Sequence, residues 1–222
     1  VLLTRQRSAL ADSFQEIFMT SILDDVLVLD PAAQDLLFRE ARTANAFTDE
    51  PVTDTQLEAI YDLVKYAPTS MNNQPLRAVV VRSAEARATL VDAMSEGNKA
   101  KTASAPLVVI LAADVNFHDE LHKTFPHFPG ARDLFAADET SREQAARFNA
   151  GLQVAYFILG IRAAGLAAGP MTGYDAAAID RDFFPDGEHR VLTVVNVGTP
   201  AAEGAWLDRL PRLDYDEVVT TV

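Results

Sequence analysis

The chain has 222 residues, 49% hydrophobic and 23% charged, which is enough for a sizeable core in one domain, with or without an appended segment. A net charge of −13 argues against a nucleic-acid binder, which needs a basic face, and leaves room only for a locally held phosphate. There is no cysteine for a disulfide, a thiolate nucleophile or a Cys-type metal site, and apolar runs such as Pro106–Ala113 are too short to span a bilayer; with Arg5, Gln6 and Arg7 breaking the apolar start, the expectation is a soluble, cytoplasmic chain with no membrane span and no signal peptide.

Within the first 30 residues, Leu10, Phe14, Ile17 and Phe18 fall on one face of an expected amphipathic helix, and Met19 is a candidate native start. Asp30-Pro31 joins an N-cap to a proline at the first helical position and opens a helix expected to reach about Arg42. Thr53 and Gln56 spell a capping box for the next helix, whose apolar face reads Leu57, Ile60, Tyr61 and Val64. A short buried strand over Ala78–Val81, a helix over Ala84–Ser95 and a second buried strand over Leu107–Ala112 follow. Phe117–Phe135, rich in aromatics, histidine and proline, reads as an irregular lid or excursion.

A long helix is expected from about Thr140 to Gly165, with Leu152–Leu166 apolar nearly all round, as in a core centre or a subunit interface. Asn149 and Gln153 lie one turn apart on it and face the same way, either as a satisfied polar pair near its wet end or as part of a site. After Gly169-Pro170-Met171-Thr172-Gly173, read as a turn entering a short helix, comes the apolar strand Val191–Val197. The tail from Trp206 alternates arginine with leucine and ends β-prone in Val-Val-Thr-Thr-Val. Helices interleaved with few strands give an α+β or mixed α/β class.

The segment Pro68-Thr69-Ser70-Met71-Asn72-Asn73-Gln74-Pro75 is a turn stiffened by proline at both ends. Its hydroxyl and amide side chains exceed what a connector needs and suit a planar heterocycle rimmed with carbonyls and ring nitrogens, because Asn and Gln offer donor and acceptor together. Three more polar clusters stand out: Arg42-Thr43-Ala44-Asn45, with an arginine and a hydroxyl suited to a phosphate; Gly97-Asn98-Lys99-Ala100-Lys101; and the Gly169–Gly173 turn, whose backbone N–H groups can face a ligand. Each alone also reads as a plain helix end or turn. His118-Asp119-Glu120-Leu121-His122 sets two histidines at helical spacing, but a zinc protease needs the glutamate directly after the first histidine, so a solvated helix face is expected and no metal. His127 and His189 show no partner in the sequence.

Taken in this order, the clusters resemble the FMN-dependent nitroreductase family from about Phe38 to the C-terminus. Arg42-Thr43-Ala44-Asn45-Ala46-Phe47 resembles its N-terminal element, residues 68–75 its Pro-Ser/Thr-Ser-x-Asn-x-Gln-Pro loop, Pro170, Gly173, Tyr174 and Asp175 its Pro-x-x-Gly-Phe/Tyr-Asp turn, and Arg209-Leu210-Pro211 its basic tail. Glu40-Ala41-Arg42-Thr43, Gly97 to Thr102, Phe125-Pro126-His127, Gly169-Pro170-Met171 and Arg209 to Leu213 are most similar to the malonic semialdehyde reductases of uracil breakdown within it.

The resemblance implies an α+β nitroreductase-like fold, with a central, mostly antiparallel sheet flanked by helices in an intertwined homodimer. Residues 1–37 would be a helical extension and 38–222 the FMN-binding domain. It further implies that Arg42, Thr43, Arg209 and Arg212 hold the FMN phosphate, and that Asn45, Asn98 and Lys101 reach the pyrimidine edge of the ring. Pro68, Thr69, Ser70 and Asn72 would line the flavin, in part from a partner subunit, and Pro170, Met171, Thr172 and Gly173 would present a backbone N–H to its reactive nitrogen.

The implied reaction moves hydride from NADPH or NADH to a small electrophile, specifically malonic semialdehyde to 3-hydroxypropanoate, with no side-chain nucleophile. Lys101, Arg132 and Arg77 are candidate cations for the substrate carboxylate. The alternatives are a broad nitroreductase or quinone reductase, and a non-catalytic flavin-binding protein. Three positions depart from the family pattern: Asn45 for a common Lys or Arg, Leu76 for a common Trp, and Thr172 for an acid. The first implies a lower flavin potential, the others an uncertain substrate range.

Overall fold

The computed structural model describes residues 26–222; the helix expected around Leu10 to Phe18 lies outside them. Two compact units meet in sequence at Ala41 and Arg42. In the first, Asp30 caps as expected, its Oδ1 accepting the Ala32 N–H at 2.9 Å with Pro31 in the first turn of α1, Pro31–Gln34. The helix does not reach Arg42: it passes into a π-helical turn, Asp35–Arg39, closed by the Glu40 N–H on the Asp35 carbonyl, and stops there.

The second unit holds a sheet of β1 (Leu76–Val81), β2 (Leu107–Asp114), β3 (Ala167–Met171) and β4 (His189–Gly198) in the order β1-β2-β4-β3, antiparallel throughout. β2 is apolar from Leu107 to Ala113 because it is an inner strand covered on both faces. Its residues alternate between two cores. Leu107, Val109 and Leu111 meet Ile60, Val64, Phe157 and Ile161 on one face, while Val108, Ile110 and Ala112 meet Leu90, Met94, Ile179 and Phe184 on the other.

The sequence misreads both edge strands. β1 starts two residues before Ala78 and is an edge rather than a buried strand, with Val80 40% exposed. β3 runs through Gly169, Pro170 and Met171, which the sequence presents as a turn. Proline lacks a ladder donor, yet an edge strand bonded on one side tolerates it.

On one face lie α2 (Asp54–Val64) and α7 (Glu139–Ala163). The α2 capping box is complete: the Gln56 N–H donates to Thr53 Oγ1 and the Thr53 N–H to Gln56 Oε1. Ile60 and Val64 are buried, but Tyr61, a further 100° round the helix from Ile60, faces solvent and is not on the apolar face. Gly160 lets α7 lie against α2; a Cβ there would stand 2.4 Å from Val64 Cγ1. α7 is not buried all round. Phe157, Gly160 and Ile161 enter the core, whereas Phe148, Leu152 and Tyr156, 69%, 38% and 41% exposed, form an outward row.

α3 (Ala84–Ala93), α4 (Glu96–Ser104) and α8 (Ala176–Phe183) belong to the other face. The expected lid is ordered: a 3-10 turn at Phe117–Glu120, α5 (Leu121–Thr124) and α6 (Ala131–Ala136), anchored by the buried Phe117, Leu121 and Ala131. The tail carries an exposed helical turn, α9 (Tyr215–Val218), capped by Asp214 and Glu217; of the β-prone run only Val218 lies in it, and residues 219–222 form no strand.

Candidate functional site

The expected site residues gather in two groups. The first lies along β3. The Ala44 N–H donates to the Ala168 carbonyl at 3.0 Å and the Asn45 N–H to the Ala205 carbonyl at 2.9 Å, so residues 42–45 are held between β3 and the segment after β4. Gly169 is required at this crossing, since a Cβ would stand 2.5 Å from the Ala44 carbonyl oxygen. Trp206 follows Ala205, and the Arg42 guanidinium carbon sits 5.4 Å from its ring centroid. The Arg42 Nε is buried without a partner among the described residues, and Thr43 is exposed.

α4 supplies the other wall. Lys101 Nζ donates to Asn45 Oδ1 at 3.3 Å, and Asn98 Nδ2 donates to the Gly173 carbonyl at 3.0 Å. Two groups, one buried and one half-buried, fix this helix. Asn196 Nδ2, from β4, donates to the Lys101 carbonyl at 3.1 Å. The Arg87 guanidinium donates to the carbonyls of Thr102 (2.8 Å), Ala105 (2.6 Å) and Val81 (3.3 Å), and its pKa is lowered by burial. Among the described residues neither Arg42 nor Lys101 pairs with a carboxylate, although acids far outnumber bases in the chain. Such a pair of cations beside amides and a glycine-lined strand can hold an anionic, planar ligand.

The second group is the Pro68–Pro75 loop. Met71, Asn72 and Gln74 all take left-handed φ, at 52°, 50° and 42°. Asn149 Oδ1 accepts the Ser70 N–H at 2.7 Å while its Nδ2 donates to the Ala145 carbonyl at 2.8 Å, and Gln153 Oε1 accepts the Leu76 N–H at 3.0 Å. Asn72 Nδ2 donates to the Thr124 carbonyl at 2.7 Å. Pro68, Ser70 and Asn72 are exposed, and Pro68, Thr69, Asn72 and Gln74 help line an open cleft of about 470 Å³ with Tyr61 and Tyr66.

The two groups stand at opposite corners of the sheet. Leu76, where the loop enters β1, pairs with Ala113 at the far end of β2, whereas Ala168 pairs with Val197, which pairs with Leu107 at the near end. Three strand spacings, about 14 Å, separate them across the sheet and about 20 Å along it. Pro170 and Met171 belong to β3, so only Thr172 and Gly173 remain as a turn. In the tail, Arg212 Nη1 turns back onto the Leu210 and Pro211 carbonyls.

Among the candidate cations, Arg77 pairs with Asp114 at 2.6 Å and Arg132 with Asp119 at 2.8 Å, so Lys101 alone of the three has no acid partner. His118 is not on a solvated face. It is 6% exposed beside Phe117, and burial lowers its pKa below 6.5. His189 has partners after all, stacked on Phe184 and 3.1 Å from Asp186. Sequence reasoning missed Trp206, Arg87 and Asn196; the last was detectable as a lone amide in an apolar strand.

The nitroreductase family model matches residues 38–199. A Streptomyces griseus protein called "putative NADH dehydrogenase/NAD(P)H nitroreductase" is 66% identical over 196 residues, covering 88% of this chain and 99% of its own. A Leptothrix cholodnii protein of the same name is 47% identical over 188 residues, covering 85% and 95%. Among solved structures, a nitroreductase family protein from Streptococcus pneumoniae superposes with a TM-score of 0.72 at 21% identity over 84% of this chain and 98% of its own. A protein from Exiguobacterium sibiricum, solved in complex with FMN, gives 0.73 at 19% identity over 88% and 98%. At these identities the structures establish the fold.

Proposed function

The chain belongs to the nitroreductase family of NAD(P)H-dependent flavin oxidoreductases, and from that premise we propose that two copies bind FMN between them and reduce malonic semialdehyde to 3-hydroxypropanoate. The observation that carries the dimer is the separation of the two polar groups. Leu76 stands about 25 Å from Ala168 and about 17 Å from the end of β3 at Met171, too far for one ring system to bridge, so the Pro68–Pro75 loop of one copy would complete the Arg42 group of the other. The outward row Phe148, Leu152 and Tyr156 and the exposed Leu207, Leu210 and Leu213 of the tail offer the apolar surface such a pairing needs. Residues 38–222 are proposed as the cofactor-binding domain and 1–37 as an extension.

The residues fit the cofactor. Arg42, with its buried, unpartnered Nε under Trp206, and Thr43 would take the phosphate, joined by Arg209 and Arg212. Asn45, Asn98 and Lys101 would reach the pyrimidine edge, and the turn at Thr172 and Gly173, after the β3 residues Pro170 and Met171, would approach the ring through backbone. Pro68, Thr69, Ser70 and Asn72 would complete the site from the partner. Bound FMN supplies the hydride chemistry between nicotinamide and substrate. The protein binds, orients and tunes. Lys101, 3.3 Å from Asn45, brings charge to the position where Asn45 lacks it, which offsets the lower potential expected from Asn45 alone. Lys101 is also the cation left open to a substrate carboxylate.

The relatives' names favour a second reading, a broad NAD(P)H nitroreductase. Visible spectra before and after NADPH under nitrogen test the flavin. Under anaerobic turnover, NADPH oxidation that requires malonic semialdehyde supports the first reading. Oxidation with nitroaromatics but not the aldehyde replaces it with the second.

A further inference from the structure

We infer that Asn149 and Gln153 are positioning residues for the cofactor: a two-point clamp on α7 that holds the Pro68–Pro75 loop in its binding shape. The inference rests on the reading of that loop as one wall of the FMN site.

The geometry is specific. Asn149 Oδ1 takes the Ser70 N–H at 2.7 Å and Gln153 Oε1 takes the Leu76 N–H at 3.0 Å. The two amides are one helical turn apart, about 6 Å. The chain between their partners would cover about 20 Å if extended. Pinning its ends that closely forces the intervening residues to fold outward, and Met71, Asn72 and Gln74 do so in left-handed conformations that non-glycine residues rarely adopt. Conformations of this kind persist only where the surroundings over-determine them.

The clamp is buried, and Asn149 is oriented. Its Nδ2 donates to the Ala145 carbonyl at 2.8 Å, which leaves Oδ1 as the atom that faces Ser70. The clamp therefore fixes Ser70, Asn72 and Gln74 together. With Asn72 Nδ2 on the Thr124 carbonyl and Gln74 Nε2 on Asn72 Oδ1, the exposed polar side chains are arranged before any ligand arrives. This goes beyond a satisfied polar pair: the acceptor oxygens of both amides are spent on the N–H groups at the two ends of the bend, Ser70 within the loop and Leu76 at the start of β1.

The test compares Asn149→Leu and Gln153→Met, which keep size and remove the acceptor, with Thr53→Ala, which destabilises the fold at the distant α2 cap. Isotopic exchange of the Ser70 and Leu76 amides is followed by NMR in the apo-protein, and FMN affinity by titration. Asn149→Leu should speed Ser70 exchange at least tenfold relative to β2 amides and raise the FMN Kd about tenfold; Gln153→Met should do the same at Leu76 with a smaller change in Kd. Thr53→Ala should leave Kd unchanged. Should Asn149→Leu not fold, Gln153→Met, which removes a single bond, decides the matter. Wild-type protein that takes up no FMN overturns the functional reading and this inference with it. Wild-type that binds FMN while the folded variants bind it equally well overturns the clamp alone, as does an equal rise in Kd for Thr53→Ala.

Discussion

Replacing Gly169 by alanine tests whether β3 sets the position of Arg42 and Asn45. The new Cβ would stand 2.5 Å from the Ala44 carbonyl oxygen, with Asn196 Cβ at 3.4 Å and Phe47 Cζ at 3.6 Å leaving it no way round. A carbon needs about 3.3 Å from that oxygen, so Ala44 must retreat by about 0.8 Å. Such a shift takes the Ala44 N–H, now 3.0 Å from the Ala168 carbonyl, beyond hydrogen-bonding range. Overpacking costs about 1–3 kcal/mol and the lost bond about 1 kcal/mol, against a gain of about 0.5–1 kcal/mol from a stiffer unfolded chain. The net loss is about 2 kcal/mol, or roughly 4–8 °C in Tm for a chain of this size. Displacing Arg42 and Asn45 should raise the FMN Kd about tenfold, equivalent to about 1.4 kcal/mol. Unfolding in urea, followed by fluorescence of the one tryptophan, gives the stability, and flavin titration the affinity. Gly160→Ala is the control, since its Cβ would meet Val64 Cγ1 at 2.4 Å in the α2–α7 contact, away from the Arg42 group. It should lose similar stability and keep its Kd. A Gly169→Ala protein as stable and as tight as its parent, or a Gly160→Ala protein equally weakened toward FMN, refutes the reasoning.

Arg87→Met strands the Thr102, Ala105 and Val81 carbonyls that the guanidinium now holds. It should cost about 2–3 kcal/mol in thermal unfolding and weaken FMN binding, because α4 carries Asn98 and Lys101. His118 gives a pH signature. Burial depresses its folded pKa, so between the ordinary value of 6.5 and that lower folded value the unfolded chain takes up a proton that the folded chain does not. Stability should therefore fall as pH drops below about 6.5, and His118→Gln should flatten that slope in denaturant titrations at a series of pH values.

What could be read from the residues was local. Proline at both ends announced the 68–75 turn, Thr53 and Gln56 the cap of α2, and an unbroken apolar run the inner strand β2, because each signal acts within a few residues. β3 escaped because Gly169 and Pro170 carry turn chemistry, which only an edge position overrides. His118 looked solvated in its polar run; Phe117 and Leu121 draw that turn into the interior. The composition of the candidate site was legible, but its division was not. Strand order decides that Leu76 and Ala168 lie at opposite corners, and strand order is set by contacts distant in sequence. Asn149 and Gln153 could be singled out by spacing, while their partners became visible only in the fold.

The sheet also has two margins, and they differ among the described residues. On β3, Pro170 offers no N–H and Ala44 already occupies the Ala168 carbonyl. On β1, Arg77 takes the outward Leu76 carbonyl and Gln153 the Leu76 N–H, but Ala78 and Val80, which point the same way, are exposed. The β3 margin thus cannot template a further strand, which is how sheets avoid growing into fibrils, whereas the exposed middle of β1 keeps groups to which a strand could pair. A single copy thus carries two surfaces open to another chain, the outward helical row at Phe148, Leu152 and Tyr156 and the margin of β1.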